Sequence, residues 1–377
     1  MGTAMNVLRP RRARVAVLCA LVAALLTAYA GPLVARPADA AARAVTDPLA
    51  GGPWGPDTTD SLASDYAAAT GTTRTLLGSI AGQPRVRWFT PGLATSDVAT
   101  RITRYIRAVQ AGDPDVLVPI ALFRIFPRGE AHRDEPMTAA EIADYRAWMA
   151  AAANAIGSTR AVVVMEPDLA ELAPPNRSTA PVVPDARVRS ALVKAATHQL
   201  SLLPRTTVYL DAGDADWLPI DKATGLLVRS GIEYARGFAL GATHYSPTGS
   251  DLTYAKSLEQ SLALAGTAYA GKSAVLDTAD NGRGFTWGYW HTHQARLGDD
   301  FDNARVCATP TTTLCVTLGA PPTWDVGPTW APYVDAYLWF GRPWLTRQAS
   351  PYNQKRALGA ARTTPYVQQN VTGATGP

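Results

Sequence analysis

The stretch Ala161-Val-Val-Val-Met-Glu166-Pro167-Asp168-Leu169-Ala170 decides the fold. Five apolar residues, three of them β-branched, are too few for a stable helix and suit a strand buried on both faces. Pro167 has no N–H and cannot continue a ladder, so the strand ends there and Asp168 stands just past its carboxyl end. The flanks are amphipathic. Thr138-Ala-Ala-Glu141 is a capping box, with Met137 and Ile142 spaced for a hydrophobic staple. The helix it opens carries Ile142, Tyr145, Met149, Ala152 and Ile156 on one face, and a second helix is expected over 186–203.

The same alternation runs outward in both directions. Strands are expected at 84–89, 116–126, 206–210, 237–243, 273–276 and 334–339, with helices at 96–110 and 222–230. More than six strand–helix units in series, with no low-complexity linker or internal repeat, point to a single α/β domain with a parallel sheet closed as a barrel. Such barrels gather their chemistry at the carboxyl ends of the strands. Glu130, Asp168, Asp211, His244 and Asp277 all fall just after such ends, from separate parts of the chain.

The first forty residues read as an export signal. Arg9, Arg11, Arg12 and Arg14 form a basic head, residues 15–34 are apolar, and Ala38-Asp39-Ala40 offers a cleavage site. Gly31-Pro32 and the Ala-rich continuation favour cleavage over retention as a membrane anchor, so domain boundaries of 1–40 for the leader and 47–377 for the barrel are expected. The leader holds five arginines against one aspartate, which accounts for the whole formal charge of +4. The remainder is near neutral, and neither nucleic acid nor a membrane surface is an expected partner.

Of three cysteines Cys19 lies in the leader, which leaves Cys307 and Cys315 for a short-loop disulfide in an exported protein. His291 and His293 would share a face on a strand, but with no third ligand nearby in sequence neither a metal nor another cofactor is expected. The sequons at Asn176 and Asn370 are taken as chance matches beside a bacterial-type leader.

Seven segments occur in an informative order. They are DPLAGG at 47, IAGQP at 80, EPD at 166, YLDAGDADW at 209, GFALGATHY at 237, DTADNG at 277 and DAYLW at 335. This series resembles glycoside hydrolase family 6, the cellobiohydrolases and endoglucanases, across nearly the whole chain after the leader. The resemblance implies a distorted (β/α) barrel and inverting hydrolysis of a β-1,4-glucan, acting as a monomer on a polysaccharide or oligosaccharide. It puts Asp168 at the general acid and Asp211 at the aspartate that poises it. Trp217 falls on a sugar-stacking indole and Trp54 on an outer-subsite indole.

Several positions depart from the family pattern. The family's RDC loop becomes Arg128-Gly129-Glu130, which offers Glu130 as a substitute for the missing aspartate. Asp214 stands for a histidine, His244 for an asparagine and Asp280 for an arginine, all expected to face substrate. Residues Gly341 to Arg347 lack the family's lysine, glutamate and aspartate. An inverting enzyme needs a base roughly 6.5–9.5 Å from its acid. Asp211, Asp214 and Asp280 are the candidates, and a glycan-binding barrel that has lost the base is the alternative.

Overall fold

The computed structural model describes residues 47–173, 183–242, 244–293 and 300–366. The leader, its cleavage site and both sequons lie outside the described residues. Seven strands form one sheet: β1 (Arg87–Phe89), β2 (Val118–Leu122), β3 (Ala161–Met165), β4 (Thr206–Asp211), β5 (Gly237–Leu240), β6 (Ser273–Asp277) and β7 (Val334–Leu338). Every neighbouring pair is parallel and the spatial order follows the chain order. Each strand therefore needs a crossover, and helices supply most of them. These are α3 (Thr95–Gln110), α4 (Ala139–Ile156), α5 (Ala186–Ser201), α6 (Ile220–Ser230) and α7 (Thr248–Ala265). The helices α1 (Ser61–Ala68) and α2 (Gly71–Ala81) precede β1. A short α8 (Trp287–His293) follows β6, and α9 (Gln354–Thr363) packs against α2.

Side chains alternate across each strand. In β3, Ala161, Val163 and Met165 enter the core beneath the helices, whereas Val162 and Val164 line the barrel interior with Ala121, Tyr209, Ala239, Val275 and Ala336. The ring does not close by a full ladder. Between β1 and β7 there is one parallel bridge, Arg85 to Trp339, with Val86 N–H donating to the Trp339 carbonyl at 2.8 Å. Beyond it the seam opens into a cavity of about 480 Å³ lined by Trp88, Arg87, Arg342, Trp344 and Tyr352 among others. The sheet is thus the distorted barrel that the family resemblance implied, with a gap at this seam.

The capping box at α4 forms as expected: the Thr138 hydroxyl accepts from Glu141 N–H, and the Glu141 carboxylate accepts from Thr138 N–H at 2.7 Å. Cys307 and Cys315 form the expected disulfide, with Cα atoms 4.9 Å apart. His291 and His293, expected on a strand, lie instead on α8. Two helical positions apart they diverge by about 200°. One ring packs on Trp287 and the other on Tyr289, so they share no ligand point. Among the described residues no helix is long and apolar enough to cross a membrane.

Candidate active site

At the end of β3 the backbone takes positive φ at both Glu166 (51°) and Asp168 (73°), on either side of Pro167. Such conformations are costly for residues other than glycine and persist only where surrounding bonds impose them. Those bonds belong to Glu166. Its carboxylate is fully buried and accepts the Arg124 and Ile125 N–H groups at 2.8 Å each and the Tyr145 hydroxyl at 2.8 Å. Burial pushes its pKa up to about 7 even against these bonds. Glu166 therefore anchors the turn to the end of β2, and Asp168, on the other side of Pro167, is buried but retains 8% accessibility.

Asp211 closes β4 and is wholly buried, with Oδ2 accepting the Gly213 N–H at 3.2 Å. Burial first, and the charge of Asp168 next, raise its pKa well above the carboxylate range; the Gly213 and Ala170 N–H groups oppose the shift. A neighbouring like charge in a low-dielectric site disfavours ionisation, which is the sense of this shift. Asp277, at the end of β6, has the opposite task. It accepts the Ala279, Phe340 and Gly341 N–H groups at 2.8–3.0 Å and ties β6 to the segment after β7.

The turn after β4 carries Asp214 and Asp216, and the turn after β5 brings His244 to them. The imidazole Nδ1 lies 2.6 Å from Asp214 Oδ2 and 3.5 Å from Asp216 Oδ1. Burial would lower the His244 pKa, but the charge of Asp214 and then the bonds to both aspartates hold it well above its usual value. Trp217 stacks flat on this imidazole, centroids 4.6 Å apart and planes within 10°. One face of the expected sugar platform is therefore covered by a side chain of the protein itself.

Glu130 is exposed at the rim. Partial burial of its carboxyl, then the charges of Asp302 and Glu171, raise its pKa, with Arg133 and Arg342 opposing. Asp211, rather than Glu130, is the acid whose pKa reflects the charge of Asp168. Asp280 is buried beside Asp277. Trp54 is far from this mouth: it bridges to Leu117, at the amino end of β2, donates its indole N–H to the Leu49 carbonyl at 3.0 Å and is 6% exposed. It plugs the barrel floor and is no outer-subsite indole, because the chain before α1 passes beneath the sheet.

The sequence model described as "Glycosyl hydrolases family 6" matches residues 53–345. The chain belongs to this family. Endoglucanase A of Cellulomonas fimi is 31% identical over 62% of this chain, and endoglucanase 1 of Streptomyces halstedii is 30% identical over 63%. The aligned part is 48% of the first relative and 72% of the second, so the chain spans about half the length of the former. The structure of the endoglucanase Cel6 from Mycobacterium tuberculosis, in complex with a thio-linked cellobioside, superposes with a TM-score of 0.67 at 26% identity. It covers 84% of this chain and 99% of that one. The catalytic core of the cellobiohydrolase Cel6A from Chaetomium thermophilum, 17% identical with a TM-score of 0.64, shares the fold over 84% of this chain and 98% of its own.

Within this family 6 barrel, the strand ends also gather two residues that the sequence did not single out. Trp88, next to last in β1, donates its indole N–H to the Phe340 carbonyl at 2.8 Å. The Arg342 guanidinium lies 3.7 Å over its ring. Burial lowers the Arg342 pKa to about 10, against the charges of Asp168, Glu130, Asp277 and Asp280. A cation thus sits in the carboxylate ring one residue after the place of the family lysine, and the signal for it was the arginine of Gly341-Arg342. At Gly341 itself an added Cβ would lie 2.7 Å from Asp280 Oδ2 and closer still to Asp277 Oδ2. A side chain at 341 would therefore meet both carboxylates. Arg347, where the family aspartate is expected, is exposed and paired with Asp300 at 2.6 Å.

Proposed function

We propose that the protein is an exported glycoside hydrolase that cleaves β-1,4-linked glucan with inversion. Asp168 protonates the glycosidic oxygen and Asp211 holds the proton available. The observation that carries this reading is the buried Asp211 beside Asp168 at adjacent strand ends, where the charge of one raises the pKa of the other. A carboxylic acid can donate near neutral pH only when burial or a like charge keeps it protonated, and this pair offers both. The endoglucanase relatives and the complex with a thio-linked cellobioside support a cello-oligosaccharide ligand. Export is supported by the leader-like residues 1–40 and the disulfide.

Arg342 supports the sugar-binding part of the reading. Guanidinium groups make bidentate hydrogen bonds in a fixed plane, and the aromatic support of Trp88 holds that plane still. The deciding experiment incubates the protein with soluble and insoluble β-glucans and follows both reducing ends and the anomer first released. An α-anomer product from wild type, with Asp168→Asn at or below roughly 1% of its rate, is expected from loss of general-acid catalysis. A β-anomer product would end the inverting mechanism.

A second reading has its own observation. Arg347 stands where the family has its aspartate and is paired with Asp300, which favours a glycan-binding barrel without turnover. Cello-oligosaccharide binding by calorimetry, with no reducing ends released from any β-glucan tested, would establish it instead.

A further inference from the structure

We infer that Asp214, Asp216 and His244 form a binding site for a divalent first-row cation, with zinc the best fit. One ligand atom from each lies within 4.8 Å of the others, on loops that follow different strands. The backbone has already chosen which oxygens face inward. Asp214 Oδ1 accepts the Asp216 N–H at 3.2 Å, and Asp216 Oδ2 accepts the Trp287 N–H. The other oxygen of each carboxylate is turned toward Nδ1 of His244, at 2.6 and 3.5 Å.

Asp214 supplies an independent reason. It is 1% exposed, and the contact printed for its Oδ2 is with the imidazole Nδ1, at 2.6 Å. A carboxylate oxygen carries more than one lone pair, so a single contact leaves it able to bind a further partner. Ligands each about 2.1 Å from an ion and set 90–110° apart are separated by roughly 3.0–3.4 Å. The 2.6 and 3.5 Å separations from the imidazole bracket that range, and all three ligand atoms lie within 4.8 Å of one another.

The ring is fixed as a ligand should be, with Trp217 stacked on its face and Phe301 set edge-on at 5.1 Å. Charge argues the same way. Two carboxylates face one imidazole. An ion pair with imidazolium leaves excess negative charge, whereas a dication balances both ligating carboxylates. Two oxygens and one imidazole nitrogen suit zinc or manganese better than calcium, and three protein ligands leave a position for water. The ion would clip together the turns after β4 and β5, with α8 joined through Trp287.

The test uses the whole protein, dialysed against EDTA and then against metal-free buffer. Calorimetric titration with zinc chloride should give about one equivalent bound, and the thermal midpoint should rise with added zinc. His244→Gln and Asp216→Asn should each weaken binding by about tenfold or more. His291→Ala, on exposed α8, should not. Zinc binding well below one equivalent, or equal affinity in His244→Gln and wild type, would overturn the site. Should either variant fail to fold, cobalt on wild type decides. One equivalent should give visible ligand-field bands that zinc abolishes, and a spectrum matching free aqueous cobalt would refute the proposal.

Discussion

At the level of single residues, the site is built from carboxyl groups whose neighbours assign them different tasks. Glu166 and Asp277 are consumed by backbone N–H groups and hold loops in place. Burial and the charge of Asp168 together raise the pKa of Asp211. Replacing Asp211 by Asn removes the negative charge that makes proton loss from the pair unfavourable. The alkaline limb of kcat/KM should then move to lower pH while the acidic limb stays, measured on a soluble β-glucan; an unmoved alkaline limb would separate Asp211 from the acid. Gly341→Ala tests the close approach of Asp277 and Asp280 to this backbone. The added methyl has no room beside two carboxylate oxygens, and overpacking of this kind costs about 1–3 kcal/mol. Denaturant titration should show that loss; a variant as stable as wild type would mean that the loop yields freely.

Among the elements, local signals were the legible ones. The Thr138 capping box announces α4 in four residues, and Thr138→Ala should cost about 1 kcal/mol in a denaturant titration, with the fold unchanged. The strand β3 was readable because burial on both faces demands an unbroken apolar run, and its end because Pro167 cannot extend a ladder. The residues Asp168 and Asp211 were readable as strand-end acids for the same reason. Trp54 and Trp217 were not, because an indole's role depends on what covers it. Leu49 and the bridge to Leu117 settle one, and His244, 27 positions along the chain, settles the other. The histidines of α8 show the same limit: TWGYWHTH has strand-like aromatics, and only the Thr286–Trp290 bond and its successors turn it into a helix. The Cys307–Cys315 bridge closes a loop with a sequence separation of 8. Replacing both cysteines by serine should cost about 2–3 kcal/mol, since so small a loop restricts the unfolded chain only modestly.

For the molecule as a whole, buried carboxyls set how stability varies with pH. Burial raises Glu166, Asp47 and Asp277 to about 7 each, from ordinary values of 4.5, 3.8 and 3.8. In the unfolded chain these groups release protons near their ordinary values, whereas the folded barrel retains them until about pH 7. The folded state thus binds more protons between those limits, so stability is greatest below the unfolded values and falls as pH rises through the folded ones. Asp57 has the opposite sign. Burial opposes its ionisation, but the Arg87 and Arg85 charges outweigh it and lower its pKa, so its contribution fades as pH falls below 3.8. Stability should accordingly peak near pH 4–5 and decline toward pH 8. Glu166→Gln isolates one contribution, because the amide keeps an acceptor for the Arg124 and Ile125 N–H groups but cannot ionise. Relative to wild type, the variant should gain stability between pH 4.5 and pH 8 in denaturant titrations at the two values. A difference between them that stays constant with pH would show that Glu166 ionises as readily inside the barrel as outside it.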